Sequence, residues 1–185
     1  SYESIGSIFE QNILLEVPKY QRYYAWDDEQ IDDFIKDIKN AYNHRRAGKS
    51  IQHFFGGIVV VKKTVPGSTR QQRELIDGQQ RITTAILLIV SVINKLQSLI
   101  NSDNKDNIEY FINQLRTRYL TYPDRINRIP MPVPKLVLSN ADNQFFDDIV
   151  NFRALNDTRD SHKKLKKAYK KLLKLVDEVV DNIPD

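Results

Sequence analysis

Glu74-Leu75-Ile76-Asp77-Gly78-Gln79-Gln80-Arg81-Ile82-Thr83-Thr84 carries the reading of this chain, because it joins an extended run to a helix through one glycine. Residues 73–76 are expected to form a strand that Asp77-Gly78 breaks. Residues 79–100 then read as a helix that is apolar on nearly every face, and therefore central and covered. A strand that turns directly into a buried helix leaves the helix's first N–H groups unpaired at the turn, where they attract anions. Gly78 lets a ligand approach the backbone, Arg81 adds a forked cation suited to phosphate, and Gln79, Gln80 and Thr83 add neutral hydrogen bonds. Asp77 is a candidate to hold a divalent metal or orient a water. A plainer reading fits the same residues: an ordinary Asp-Gly turn, Asp77 as an N-cap, and Arg81 paired with Glu74 or Asp77.

Before this junction, a short helix is expected over residues 4–9, and an extended segment over 13–17 runs up to Pro18, which biases its predecessor toward extended geometry. A loop with Tyr20-Gln21-Arg22-Tyr23 follows. Asp27 with Gln30 three residues on is a capping-box pattern, and Ile31, Phe34, Ile35, Ile38 and Tyr42 recur at helical spacing until Gly48. Residues 54–63 are β-branched and apolar, and the turn cluster Pro66-Gly67-Ser68 makes a hairpin with 73–76 the simplest pairing. After the junction come a helix over 106–120, then a stretch, 122–134, with four prolines, expected to be a long connection. A short extended piece over 136–138, a helix over 141–150 capped by Ser139 or Asn140, and a long helix over 161–180 complete the chain. The order implies an α+β fold: a core in residues 1–100 and a helical extension in 101–185.

With 185 residues and 41% hydrophobic content, the chain can bury a real core. It has no cysteine, which removes disulfides and thiolate metal sites and suits a reducing cytoplasm. The polar start Ser1-Tyr2-Glu3 lacks the form of a secretory signal, and the apolar stretch 82–93 falls short of the roughly 20 residues a bilayer crossing needs, so no membrane partner is expected. Net charge is +4, yet eight basic residues against one acid lie between Arg159 and Lys174, leaving the rest net negative. The basic signal lives in one helix, on which Lys163, Lys167, Lys170 and Lys174 are candidate DNA-backbone contacts. The apolar stripe Leu165, Ala168, Tyr169, Leu172, Leu175, Val176 and Val179 equally makes those lysines an ordinary solvated face.

Three segments in order, Val17-Pro18-Lys19-Tyr20-Gln21-Arg22-Tyr23 with Trp26, His53-Phe54-Phe55-Gly56-Gly57-Ile58-Val59, and Ile76 to Thr84, resemble the DGQQR family, the GmrSD restriction endonuclease amino-terminal domains. Pro134-Lys135-Leu136-Val137-Leu138 with Asp142 and Phe145-Phe146 is similar to the family's later segment. The resemblance implies a ParB/sulfiredoxin-like core of a small mixed sheet with helices, in which the DGQQR turn binds and hydrolyses a nucleoside triphosphate with a divalent cation, magnesium for preference. It further implies restriction of foreign DNA with an HNH-type nuclease, in cis or as a partner. The chain starts without methionine and stops at Asp185 soon after a helix, so a fragment of a longer protein is expected. Gly56-Gly57 stands where the family often has Gly-Ser, which puts a hydroxyl contact at Gly57 in doubt.

On this reading Asp77 and Arg81 are the candidate catalytic residues, with Asp77 also the metal candidate. Gly78, Gln79, Gln80, Thr83, Gln21, Arg22, Gly56 and Gly57 join Arg81 around the phosphates. Gln21 and Arg22 would close over a phosphate or a DNA backbone; alternatively Arg22 packs on Tyr23 or Trp26. Gly48-Lys49-Ser50 imitates the end of a phosphate-binding loop but follows a helix instead of preceding one. His44, His53 and His162 are too scattered for a zinc set, and His53 reads better as structural than as a pocket group. Two function classes remain: a nucleotide-hydrolysing regulatory domain, or a non-enzymatic DNA-sensing module built on the basic helix and the aromatic loop beside Arg22. Cleavage of DNA by the domain itself ranks last, without a metal-ligand cluster in view.

Overall fold

The computed structural model describes residues 5–49, 56–64, 71–126 and 129–182. His53, Ser50, the first residues of the 54–63 strand and the turn at Pro66-Gly67-Ser68 lie outside them. The order is α1 (Ile5–Glu10), β1 (Leu14–Glu16), α2 (Asp28–Arg46), β2 (Val59–Lys63), β3 (Gln72–Asp77), α3 (Gln79–Ser98), α4 (Lys105–Leu115), a π-helical turn Arg116–Leu120, β4 (Thr121–Ile126), β5 (Ile129–Pro134), β6 (Leu136–Val137), α5 (Asn140–Val150) and α6 (Asp160–Asp181).

The main sheet runs β2-β3-β1-β6. It is mixed, as expected: β2 and β3 pair antiparallel, whereas β1 lies parallel to both β3 and β6. The fourth strand therefore comes from beyond residue 100, and the carboxy-terminal half contributes to the same sheet as well as supplying helices. Residues 121–126 and 129–134 pair as a separate antiparallel ribbon in place of a bare connection, with Pro123 opposite Pro132. A two-stranded ribbon tolerates proline because each strand has an outer edge that needs no N–H donor.

α3 is the axis of the core. Ile82, Leu87, Val90 and Ile93 are fully buried, and Leu165 and Leu172 of α6 are equally so in the same apolar cluster. Each such side chain contributes about 1.5–3 kcal/mol by leaving water, before entropy is counted. α2 starts as the sequence indicates: the Asp27 amide donates to the Gln30 side chain at 2.9 Å and the capping box closes. It ends at Ala47-Gly48, where Gly48 takes φ +71°. Lys135 is buried, its amine donating to the carbonyls of Phe9 and, at 2.7 Å, Arg118, so it ties α1 and the π-helical turn to the start of β6.

Three lysines of α6 tie the helix to α2. Lys164 reaches Asp27 at 3.2 Å, Lys167 reaches Asp28 at 2.6 Å, and Lys171 reaches Asp28 at 2.8 Å and Asp32 at 2.7 Å. Lys39 pairs with Glu178 along the same seam, and Lys95 of α3 pairs with Asp177 beside it. These solvent-facing pairs are individually weak, but they orient α6 on α2 and neutralise part of its charge. Among the described residues, Lys163, Lys170 and Lys174 remain exposed without an ion pair. No described helix is long and apolar enough to cross a membrane.

Candidate functional site

β3 ends at Asp77, Gly78 takes φ +90° and ψ 7°, and α3 begins at Gln79. That left-handed geometry is why a glycine stands here, and a Cβ would also meet Ile58 at 3.0 Å. Exposed Asp77 turns one carboxylate oxygen onto the Gly78 amide at 2.8 Å, an Asx-like closure of the turn. Among the described residues the amides of Gln79, Gln80 and Arg81 have no partner, as the sequence argument requires of this helix end.

The two glutamines are already engaged. Gln79 donates to the Arg22 carbonyl at 3.0 Å and Gln80 to the Tyr23 carbonyl at 3.1 Å, while the Gln80 amide oxygen accepts from the Ala25 N–H at 2.8 Å. Gln21 reaches back to the Ile76 carbonyl at 3.0 Å. The buried Tyr24 hydroxyl shares a 2.8 Å hydrogen bond with Thr84, which itself donates to the Gln80 carbonyl. Its Tyr24 phenol is pushed well above the ordinary range by burial. The 21–25 segment is thus a strap, pinned backbone atom by backbone atom across the start of α3. Gln79, Gln80 and Gln21 act here as its fasteners, and Thr83 is buried beneath it.

Asp142 holds the strap from the other side. This buried carboxylate accepts from the Tyr24 N–H at 2.9 Å and the Ser161 hydroxyl at 2.6 Å, so one residue joins the strap, α5 and α6. His162 stacks on Phe145 at 4.5 Å and contacts the Ala141 carbonyl at 2.9 Å, the structural role expected of an isolated histidine. No group of three or more histidine, aspartate or glutamate side chains suited to a metal occurs among the described residues.

Arg81 pairs with neither Glu74 nor Asp77. Its guanidinium donates to the Gly57 carbonyl at 2.6 Å and lies against Gly56, whose φ is +89° and whose hypothetical Cβ would stand 2.7 Å from the guanidinium carbon. Gly56 and Gly57 therefore seat the arginine, one by lacking a side chain and the other by its carbonyl. Four further guanidinium N–H groups remain for a ligand. Arg22 is exposed and makes no cation–π contact with Tyr23 or Trp26 among the described residues.

Two spaces flank this arrangement. Beneath the strap, Arg22, Gln79, Gln80, Thr83, Ser139 and Asp142 line a void of only about 10 Å³, too small for more than a water. Beyond the strap, Trp26, Gln30, Asp33, Phe34, Asp37, Gly56 and Arg81 line an open cleft of about 390 Å³. The structure thus brings Arg81 and Gly56 to a cleft of ligand size, and places Gln79, Gln80 and Thr83 behind it. Asp33 and Asp37 were not among the residues singled out by sequence, and Gln30 was singled out only for the capping box. Their signal was present, since positions 30, 33 and 37 form one stripe at helical spacing beside the apolar one.

No curated protein matches the chain. Residues 5–183 match the family described as GmrSD restriction endonuclease, N-terminal domain. With the match covering nearly the whole chain and an α+β mixed-sheet architecture beneath it, the protein belongs to that family and is part of a restriction, or phage-defence, protein.

Proposed function

We propose that the domain binds a nucleoside triphosphate in the cleft between α2 and the first turn of α3, and hydrolyses it as a regulatory step of restriction. The observation that carries the reading is Arg81, seated on Gly56 and Gly57 at the wall of a 390 Å³ cleft and within the first turn of α3, whose first three amides have no partner among the described residues. Amides of a helix N-terminus and a guanidinium fork are complementary to phosphoryl oxygens. Trp26, tilted against Phe34 at a centroid distance of 6.0 Å, offers an apolar wall for a base.

The donor set fits a cation that arrives with the triphosphate. Magnesium is held through one or two carboxylates plus phosphate oxygens, so the absence of a three-carboxylate cage among the described residues suits it. Asp33 and Asp37 line the cleft, whereas Asp77 lies outside its lining, with one carboxylate oxygen on the Gly78 amide and the other uncommitted to the turn. When bound, the metal supplies charge neutralisation at the phosphoryl oxygens. Arg81 adds positive charge on the near side, and a carboxylate from this set orients the attacking water.

Titration of the protein with magnesium and nucleoside triphosphates, followed by phosphate release, tests the reading. Arg81→Ala removes a charged hydrogen-bond donor, worth about 1.5–3 kcal/mol, and is expected to weaken binding by roughly 10- to 150-fold. Asp77→Ala and Asp33→Ala are expected to lower turnover more than binding. Parent-like binding and turnover in Arg81→Ala would overturn the assignment.

A further inference from the structure

A second cleft, of about 360 Å³, lies on the opposite side of the strap and is lined by Lys19, Tyr23, Ser139, Ala141 and Arg159. We infer that this cleft seats a backbone phosphate of DNA. It is independent of the nucleotide cleft, sharing no lining residue with it.

Lys19 and Arg159 are exposed, and neither meets a carboxylate among the described residues. Two unneutralised cations face one hollow with no acidic side chain in its lining. Ser139 supplies the second element. It is the N-cap of α5 and 5% exposed, yet its hydroxyl makes no hydrogen bond to the helix it caps. A serine here ordinarily turns that hydroxyl onto an amide of the first turn. Among the described residues the Ser139 hydroxyl has no hydrogen-bond partner, and Ser139 lines the cleft beside Ala141 in the first turn of α5. Arginine, ammonium and hydroxyl groups converging on one space are the set that contacts phosphate oxygens in protein–DNA interfaces.

The surface around the cleft extends the match from a single anion to a polynucleotide. Tyr20 is 74% and Tyr23 50% exposed, and exposed Arg22 stands between them. Exposed rings interleaved with cations suit a nucleic-acid strand better than a small ion. The cleft is also preorganised: Asp142 locks the strap to α5 and α6, and His162 bridges from α6 to Ala141. Arg159 places this contact at the amino-terminal end of α6.

The test is fluorescence anisotropy with a labelled DNA duplex across a salt series, on the full chain and the Lys19→Ala/Arg159→Ala variant. Loss of one to two phosphate contacts is expected to lower the slope of log affinity against log salt by about 0.9 for each, with affinity at low salt falling roughly tenfold or more. Lys19→Ala/Arg159→Lys is expected to recover part of that affinity. Both positions are exposed and unpaired, so thermal midpoints should match the parent. Unchanged affinity and salt slope in the double alanine variant overturns the inference. So does a variant that loses affinity for inorganic phosphate while binding the duplex as the parent does, because the cleft would then serve a free anion. Arg81→Ala is expected to leave duplex binding intact, which separates failure here from failure of the nucleotide assignment.

Discussion

Gly56→Ala is the substitution that most directly tests how Arg81 is held. Two effects act together. Alanine at φ +89° leaves the favourable backbone region, at a cost of about 1–2 kcal/mol. The new Cβ would also stand 2.7 Å from the Arg81 guanidinium carbon, inside any real contact distance. Because the obstructed group is the end of a flexible side chain, the arginine swings away and no backbone needs to move. That relieves the clash but breaks the 2.6 Å bond to the Gly57 carbonyl, a further loss of about 0.5–1.5 kcal/mol. The total, about 1.5–3.5 kcal/mol, corresponds to a fall in Tm of roughly 3–14 °C for a chain of this size. Gly57→Ala is the comparison: its Cβ would meet nothing within 4 Å, and its stability should stay within about 0.5 kcal/mol of the parent. Urea unfolding gives the stability difference, and magnesium-nucleotide titration gives the affinity. If Gly56→Ala is as stable as Gly57→Ala, and nucleotide affinity is indifferent to both, the seat built for Arg81 has no energetic meaning and the reasoning fails.

Asp142→Ala strands the Tyr24 N–H and the Ser161 hydroxyl in the interior, each at about 1–3 kcal/mol, so a loss of several kcal/mol in urea unfolding is expected, with Asp142→Asn losing less because one acceptor survives. Tyr24 and Tyr169 both have phenol groups raised by burial above the unfolded value near 10, so the folded state keeps protons that the unfolded chain releases. Stability is therefore complete below about pH 10 and falls as pH rises beyond it. Tyr24→Phe should flatten that alkaline decline in pH-dependent denaturation, and an unchanged slope would refute the burial argument.

What could be read from the chain, and what could not, follows the range of the interactions. The Asp27 and Gln30 capping box, the stop at Gly48, the β2–β3 pairing and the central placement of α3 rest on neighbouring residues or on periodicity, and all are visible in the sequence. The joining of β6 to β1 rests on Leu15 meeting Leu136 across the chain, and a two-residue strand carries no periodic signal of its own. Residues 121–126 and 129–134 hide a ribbon because proline argues against strands only where both edges are paired. Gln79 and Gln80 illustrate a different limit. A neutral amide suits a phosphate oxygen and a peptide carbonyl equally well, so only the position of the strap shows that these two are occupied. Asp142 was marked only by its place in a segment similar to the family's, and its role as an anchor depends on a partner 118 residues away.

The strap also keeps the two clefts of this small domain apart. Trp26 faces the cleft of Arg81, and Lys19 and Tyr23 face the cleft of Arg159. The residues between them, Tyr24 and Ala25, are fixed by Asp142, Thr84 and Gln80. With the intervening backbone anchored at both amides, a change in one cleft has no slack through which to reach the other. Arg81→Ala and Arg159→Ala should then act additively within about 0.5 kcal/mol on their respective ligands in the parent. Loosening the anchor with Asp142→Asn should make the two substitutions interact, because the strap would become the shared, movable wall of both clefts.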